Sequence, residues 1–197
     1  MFRIKVNSIN LYPLGGITRL NIDLNVSLYK ELLILLGGPI FQFNSLILLK
    51  YLFPMELEMI NYYFYGILLF NLLPIYPLDG GRILNLLVEL FTPYKLSIKI
   101  SILISYFSLL IIFLINSSNN IILMIMFLLV LIIKEEKKID YIYHKFILER
   151  YLNNYRFKKT KIISNKDNFY RNKKHIIRNK NRYYYEKEYL SKILKKY

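Results

Sequence analysis

One carboxylate, Asp79, ends an almost entirely apolar stretch that begins at Tyr62. An ionisable side chain costs roughly 2.5–3.5 kcal/mol at the centre of a membrane helix, so one that is kept there usually has a partner or a task. Pro74 and Pro77 interrupt the helix before it, and Gly80-Gly81 permits a tight turn after it. Irregular backbone at membrane depth is tolerated where it is buried in protein or lines a wet cavity. The spacing therefore indicates a polar site within a membrane protein.

Four apolar stretches could position this site as transmembrane helices: Leu32–Phe53, Tyr62–Leu78, Ser97–Ile115 and Ile121–Ile133. At 1.5 Å per residue the fourth reaches about 20 Å, which is less than the roughly 30 Å hydrocarbon core. Snorkelling of Lys134 would close the gap, and a re-entrant hairpin of the third and fourth stretches is the alternative. The pattern predicts an α-helical integral membrane protein with about four transmembrane helices.

Basic residues alternate between the connecting loops. Residues 54–60 hold two Glu and no Lys or Arg, and residues 116–120 are uncharged, whereas Lys30 precedes the first stretch and Arg82 and Lys95 separate the second from the third. Positive residues favour the cytoplasmic side of a membrane. The sequence therefore predicts a multi-pass protein with both termini in the cytoplasm and Asp79 at the cytoplasmic end of its helix.

The N-terminal residues alternate polar and apolar side chains over 3–9 and again over 19–24. A period of two is typical of short strands, and Pro13 and Gly15-Gly16 mark the turn between them. We expect a β-hairpin that lies against the cytoplasmic face.

The charge of the chain is concentrated in its last third. Residues 1–133 carry 8 Lys/Arg against 6 Asp/Glu, whereas residues 134–197 carry 20 against 7, within a total of +15 over 197 residues. We predict a membrane core over 1–133, a linker helix over 134–155 and a basic, helical cytoplasmic tail over 156–197. A basic segment beside a membrane favours attraction to anionic lipid over binding to nucleic acid. The absence of cysteine excludes disulfides and thiolate metal sites.

Both histidines of the chain lie in this basic region. His144 belongs to a segment with a helical apolar stripe and has no second histidine four residues on, as a two-histidine metal helix requires. It is therefore predicted to be an interfacial helix residue rather than a ligand. His175 lies in the run 171–178, which is rich in Lys and Arg, and is predicted to be a solvated residue.

The block Asn71-x-x-Pro74-x-x-Pro77-Leu78-Asp79-Gly80-Gly81 resembles the aspartate signature of the site-2 proteases, which are intramembrane zinc metalloproteases. The similarity is closest to the sporulation-type branch, which processes a membrane-tethered sigma-factor precursor. The resemblance implies that Asp79 is the third zinc ligand and that Asn71 and Pro74 position the substrate. Pro77, Gly80 and Gly81 would shape the backbone. It also implies a membrane-associated protein substrate and membrane inhibitor proteins as partners.

Further segments resemble the same family. Gly15 and Gly16 belong to a Pro-x-Gly-Gly block like that of a sheet whose edge pairs with substrate, a form of β-augmentation. Gly37-Gly38-Pro39 resembles a Gly-Pro motif at the start of the next helix, although we favour a packing notch that lets helices approach closely. The tail from Lys161 is long enough for half of a nucleotide-binding CBS module.

The family's His-Glu-x-x-His helix, which carries two zinc ligands and the general base, has no counterpart in this sequence. Met1–Lys5 resembles residues one or two helical turns downstream of it, so we expect an N-terminally truncated core with an incomplete zinc site. A catalytic zinc ion needs three protein ligands, and one carboxylate cannot hold it. Two hypotheses remain for the membrane core: a zinc metalloendopeptidase read from a misplaced start, or a catalytically dead scaffold. A third assigns the function to a lipid- or nucleic-acid-binding tail on an incidental anchor.

Overall fold

The computed structural model describes residues 6–12, 15–20, 23–116, 118–157, 159–164, 167–179 and 182–194, with the backbone alone for 6–20, 179, 193 and 194. The elements, in chain order, are strands β1 (Val6–Tyr12) and β2 (Gly15–Leu20), helices α1 (Leu28–Leu52), α2 (Leu57–Leu72), α3 (Asp79–Glu89), α4 (Tyr94–Ile115), α5 (Asn119–Lys137) and α6 (Ile139–Leu152), strands β3 (Lys159–Ile163), β4 (Lys173–Asn179) and β5 (Arg182–Tyr185), and helix α7 (Glu186–Leu194).

Two of the described helices, α1 and α4, are long and apolar enough to cross a membrane. Helix α1 has 25 residues and is therefore about 37 Å long. Large apolar side chains such as Phe41, Ile47 and Tyr51 are exposed along it, and an exposed apolar surface of this kind needs a covering partner. Helix α2, with 16 residues, is shorter, and α5 ends in charged residues. The prediction of four spans stays a prediction.

The second apolar stretch is not one helix. Helix α2 ends at Leu72, residues 73–78 are non-helical and α3 begins at Asp79. Leu73 has an extended backbone, with ψ at 139°, because the proline after it disfavours the helical conformation. The peptide bond between Tyr76 and Pro77 is cis. Placing Asp79 at the end of the apolar helix was therefore wrong, because the carboxylate opens the next helix.

Polar contacts connect the helices of the core. Ser97, Ser101 and Ser105 recur every fourth residue on α4 and are all fully buried, and such small residues let helices approach closely. Ser101 Oγ lies 3.2 Å from Asn85 Oδ1 on α3. On the other side of the core, Gln42 Nε2 of α1 donates a hydrogen bond of 3.1 Å to the Phe64 carbonyl oxygen of α2.

The N-terminal hairpin is present, and its strands pair antiparallel. Gly15 and Gly16 lie in the first two positions of β2, opposite Tyr12 and Leu11, rather than in the turn where we expected them. Residues 13–14 lie outside the described residues. The placement of the hairpin on the cytoplasmic face stays a prediction.

The tail is not predominantly helical as predicted, since it forms a three-stranded sheet with one short helix. Strand β3 pairs with β4 in parallel, and β4 pairs with β5 antiparallel. Ile163, Phe169, Ile177 and Leu190 are buried in it. Its apolar residues are scattered among charges and become a core only when distant segments pair, which local periodicity does not show. Helix α6 falls within the predicted linker, whose boundaries stay a prediction.

Candidate functional site

Asp79 is the first residue of α3 and is partly buried. Its carboxylate faces α1, because a Cβ placed on Gly38 would lie 3.4 Å from Asp79 Oδ2. A carboxylate at a helix N-terminus stabilises that helix by typically about 0.3–1 kcal/mol. Helix stabilisation is therefore one role of Asp79, and the facing glycine leaves the Oδ2 side of the carboxylate free of a side chain from that position.

The chain folds back tightly behind the carboxylate. A Cβ on Gly80 would overlap the carbonyl oxygens of Leu72 and Leu73, and one on Gly81 would overlap the Ile75 carbonyl. Both positions exclude any side chain, since backbone atoms are the obstacle and cannot move aside as the tip of a flexible side chain could. The two glycines thus hold the non-helical segment 73–78 against the start of α3.

Ser105 of α4 secures that segment. The Tyr76 N–H donates to Ser105 Oγ at 2.7 Å, and the Leu78 N–H donates to the Ile75 carbonyl oxygen at 2.8 Å. A backbone N–H freed by a helix break within an apolar core needs such a partner. Ser105 is not among the residues predicted from the sequence, although the four-residue spacing of serines along an apolar helix was a usable signal.

Replacing Gly80 by Ala should destabilise the protein by about 1–3 kcal/mol, the usual cost of overpacking a rigid site. The expected result is a lower midpoint of thermal unfolding in detergent. Gly66→Ala is the matched control, because nothing lies within 4 Å of a Cβ there and alanine is the better helix former. Equal midpoints for the two variants would contradict the close backbone contact.

The other predicted residues lie around the same break. Asn71 is partly buried in the last turn of α2, Pro74 is exposed in the non-helical segment, and Pro39 lies within α1. A Cβ on Gly37 would have open space around it, so the close approach of α1 and α3 is centred on Gly38. The substrate-positioning roles of Asn71 and Pro74 stay predictions.

The described residues do not complete a zinc site. Among them, no three His, Cys, Asp or Glu side chains lie close enough together to hold a metal ion. A catalytic zinc ion takes three protein ligands and an open position. Asp79 has the right chemistry for one of these ligands, and the donor set does not fit a whole site.

His175, predicted to be solvated, is fully buried in β4. The Tyr170 N–H donates to its Nε2 at 3.0 Å, while Nδ1 lies 3.3 Å from Glu186 Oε2. Nε2 must therefore be unprotonated and Nδ1 carries the hydrogen, so the imidazole is neutral. Lys174 and Arg178 on the same strand are exposed, whereas His175 and Ile177 face inward, and this corrects the prediction. His144 is exposed on α6, with its Nδ1 2.6 Å from the Asp140 carbonyl oxygen.

Arg150 of α6 is the centre of the buried network around His175. Its Nε donates to Glu186 Oε1 at 2.6 Å, and its remaining nitrogens donate to the carbonyl oxygens of Tyr170, Arg171 and Lys173. Burial alone would raise the pKa of Glu186, but hydrogen bonds from His175 and Arg150 outweigh it and lower that pKa to about 2. Burial lowers the pKa of His175, although Glu186 opposes the shift.

The tail sheet is therefore expected to lose stability in acid. The unfolded chain takes up a proton at His175 below pH 6.5, before the folded chain does, and at Glu186 between pH 4.5 and about 2. Both contributions are present at neutral pH and are lost as the pH falls. Hydrogen-exchange protection of β4 and β5 should decline from pH 6.5 downward. A His175→Gln variant should lack the first decline, and an identical profile in this variant would contradict the assignment.

The stability that Glu89 contributes changes with pH in the opposite direction, and Glu89 lies outside the tail sheet. Burial raises its pKa to about 7, although the nearby Arg171 lowers it. The folded chain thus binds this proton more tightly than the unfolded chain does, and this contribution to stability is lost as the pH rises from 4.5 to about 7. Because Glu89 lies at the end of α3, exchange should be followed residue by residue in the sheet rather than as a global average.

Comparison with known proteins gives two matches. Residues 55–115, which run from the start of α2 to the end of α4 and include Asp79, match the sequence profile of peptidase family M50. The chain is also 31% identical over 100 residues to the stage IV sporulation protein FB of Bacillus subtilis (strain 168). That similarity covers 48% of this chain and 35% of the relative, so the chain spans about a third of the relative's length.

The profile match includes the site that the structure builds around Asp79. The profile covers α2, the non-helical segment, α3 and α4, which are the elements that position the carboxylate. Residues 55–115 are thus similar to peptidase family M50, the site-2 proteases, and the chain is similar to a sporulation protein of Bacillus subtilis.

Proposed function

We propose that this chain is the aspartate-bearing core of an intramembrane zinc metalloendopeptidase, with Asp79 as one zinc ligand. The single observation that carries the proposal is the placement of Asp79 at the start of α3, facing Gly38, within the residues that match family M50. The two remaining ligands and the general base would come from a His-Glu-x-x-His segment that this sequence does not hold. No catalytic step can be assigned to the described residues alone.

The proposed substrate is a membrane-associated protein segment, and a sigma-factor precursor is the specific candidate. The hairpin of β1 and β2 supports this, because a two-stranded sheet leaves backbone groups on its outer edges for an extended peptide to pair with. Asn71 and Pro74 flank the break in front of Asp79 and would contact such a peptide. Membrane proteins that inhibit the protease are proposed as further partners.

We place the protein in the cell membrane as a multi-pass protein with both termini in the cytoplasm. Polar contacts support a common side for the helix ends, since Lys95 at the start of α4 lies 3.0 Å from Asp140 of α6 and 3.4 Å from Asp167 of the tail. The tail would then face anionic lipid, and the electrostatic attraction would contribute about 1 kcal/mol for each basic residue near the surface. Nucleic acid is not proposed as a partner.

A non-catalytic scaffold is the second candidate. It is favoured by the lack of a three-ligand cluster among the described residues. Such a protein would bind client segments through the hairpin and the non-helical segment without cutting them.

The deciding experiment has two parts. The first reads the genomic DNA upstream of Met1 for an in-frame His-Glu-x-x-His within an apolar segment. The second measures zinc in the product of the intact gene, purified from the membranes of its own host. An in-frame motif with about one zinc ion per chain supports the protease. A stop codon and a metal-free protein support the scaffold.

A further inference from the structure

Arg171, in the connection between β3 and β4, reaches out of the tail into the membrane core. The residue is 3% exposed. Its Nη1 donates to Glu31 Oε2 in the first turn of α1, and its Nε lies 3.0 Å from Glu89 Oε1 at the last residue of α3. One guanidinium thus joins two helices of the core that are not consecutive in the chain.

The two carboxylates belong to the same helices that meet at the candidate site. Glu31 precedes Gly38 by about two helical turns, or roughly 10 Å along α1, and Glu89 follows Asp79 by roughly 15 Å along α3. Because helices transmit displacement along their axes as nearly rigid rods, the separation of Glu31 and Glu89 affects the separation of Gly38 and Asp79. Arg171 thus connects α1 and α3 two to three helical turns from the site.

The loop that carries Arg171 is itself held in place. Arg150 Nη1 donates to the carbonyl oxygens of Tyr170 and Arg171, each at 3.1 Å. The Tyr94 N–H at the start of α4 donates to the Phe169 carbonyl oxygen at 2.9 Å, and the Arg171 guanidinium lies 5.2 Å from the centre of the Tyr94 ring. The loop that carries Arg171 is therefore held by α6 on one side and by the start of α4 on the other.

Stability alone does not explain the buried pair of Arg171 and Glu89. Neither carboxylate oxygen of Glu89 nor the Nε of Arg171 has a hydrogen-bond partner of acceptable geometry among the described atoms, so the 3.0 Å approach is an ion pair without hydrogen-bond alignment. A buried ion pair often contributes no more than apolar residues of similar volume would, while loss of one partner is costly. What the pair does supply is a defined position for α3.

We propose that Arg171 is a positioning residue, which holds α1 and α3 together and thereby fixes Asp79 opposite Gly38. This role rests on the proposed function, since the position of Asp79 matters only if the carboxylate binds a ligand or substrate. The contacts of Arg171 with α1 and α3 do not depend on that function. The tail thus contributes to the site without a direct contact with Asp79.

The test measures the distance between α1 and α3 directly. The chain has no cysteine, so the pair Phe41→Cys and Arg82→Cys, both at exposed positions three residues past Gly38 and Asp79, can be spin-labelled cleanly in the full chain in lipid nanodiscs. Double electron–electron resonance should give one narrow distribution of distances between the two spin labels in this doubly labelled parent protein. Adding Arg171→Gln should broaden it and shift it to longer distance. Adding Arg178→Gln, the loss of an exposed arginine on β4, should leave it unchanged.

A second variant separates positioning from stability. Arg171→Gln with Glu89→Gln leaves no buried unpaired carboxylate, so the protease resistance of the tail should recover while the distribution stays broad. A narrow, unshifted distribution in the single variant, or a return to it in the double variant, would overturn the proposal. The measurement needs neither metal nor substrate. A protein without zinc would therefore contradict the proposed function but not the positioning role of Arg171. An unchanged distance distribution would contradict the positioning role but not the proposed function.

Discussion

Replacing Asp79 by Asn in the product of the intact gene is expected to lower both zinc affinity and cleavage by more than about 100-fold. Loss of a group that merely orients a metal ligand costs 10–100-fold, so loss of a ligand itself should reach at least the upper end. The fold should survive, because the carboxylate contributes only about 0.3–1 kcal/mol to the N-terminus of α3. The measurements are metal analysis of the purified protein and cleavage of a membrane-tethered reporter.

Asp140→Asn is the matched control for this substitution. Asp140 also lies in the first turn of a helix, α6, where it is exposed and pairs with Lys95 at 3.0 Å. Exposed ion pairs contribute little, so zinc content and cleavage should stay at the parent level. If the Asp79 variant behaves like the Asp140 variant, Asp79 is a helix-stabilising residue and not a ligand.

Replacing Arg150 by Met is expected to destabilise the tail by about 3–5 kcal/mol, the usual cost of removing one partner of a buried ion pair. Glu186 would stay buried without its bidentate partner, whose two contacts measure 2.6 and 3.3 Å. Carbonyl oxygens of the connection between β3 and β4 would lose their donors as well, and buried acceptors left unsatisfied are costly. Limited proteolysis should therefore cut within residues 159–194 far sooner than in the parent.

Two further variants test this explanation. Arg156→Met removes an exposed arginine just after α6 and should leave the rate of cutting unchanged. Arg150→Met combined with Glu186→Leu removes both charges and should be less damaging than Arg150→Met alone, because no unpaired charge stays buried. A tail that resists protease in the single variant as well as in the Arg156 variant would show that the network is dispensable.

Much of the site could be read from local sequence because its causes are local. Pro74 and Pro77 break a helix wherever they occur in one, and Gly80 and Gly81 are needed where backbone passes over backbone. The hairpin followed from its alternating pattern. The end of α2 and the start of α3 could not be predicted from the sequence, because an apolar stretch of even hydropathy does not show at which residue the helix ends before the prolines.

The sequence by itself determined that an acid stands within a broken apolar stretch, that apolar helices surround it and that a basic segment follows them. Tertiary structure alone decided that Asp79 opens α3 opposite Gly38, that His175 is buried and neutral, and that Arg171 reaches Glu31, 140 residues away in the chain. The physical reason is the sequence separation between the residues that determine each feature. Helix breaks, turns and hydrophobic periodicity arise between near neighbours, whereas a buried charge can be placed only once distant segments have enclosed it and supplied its partner.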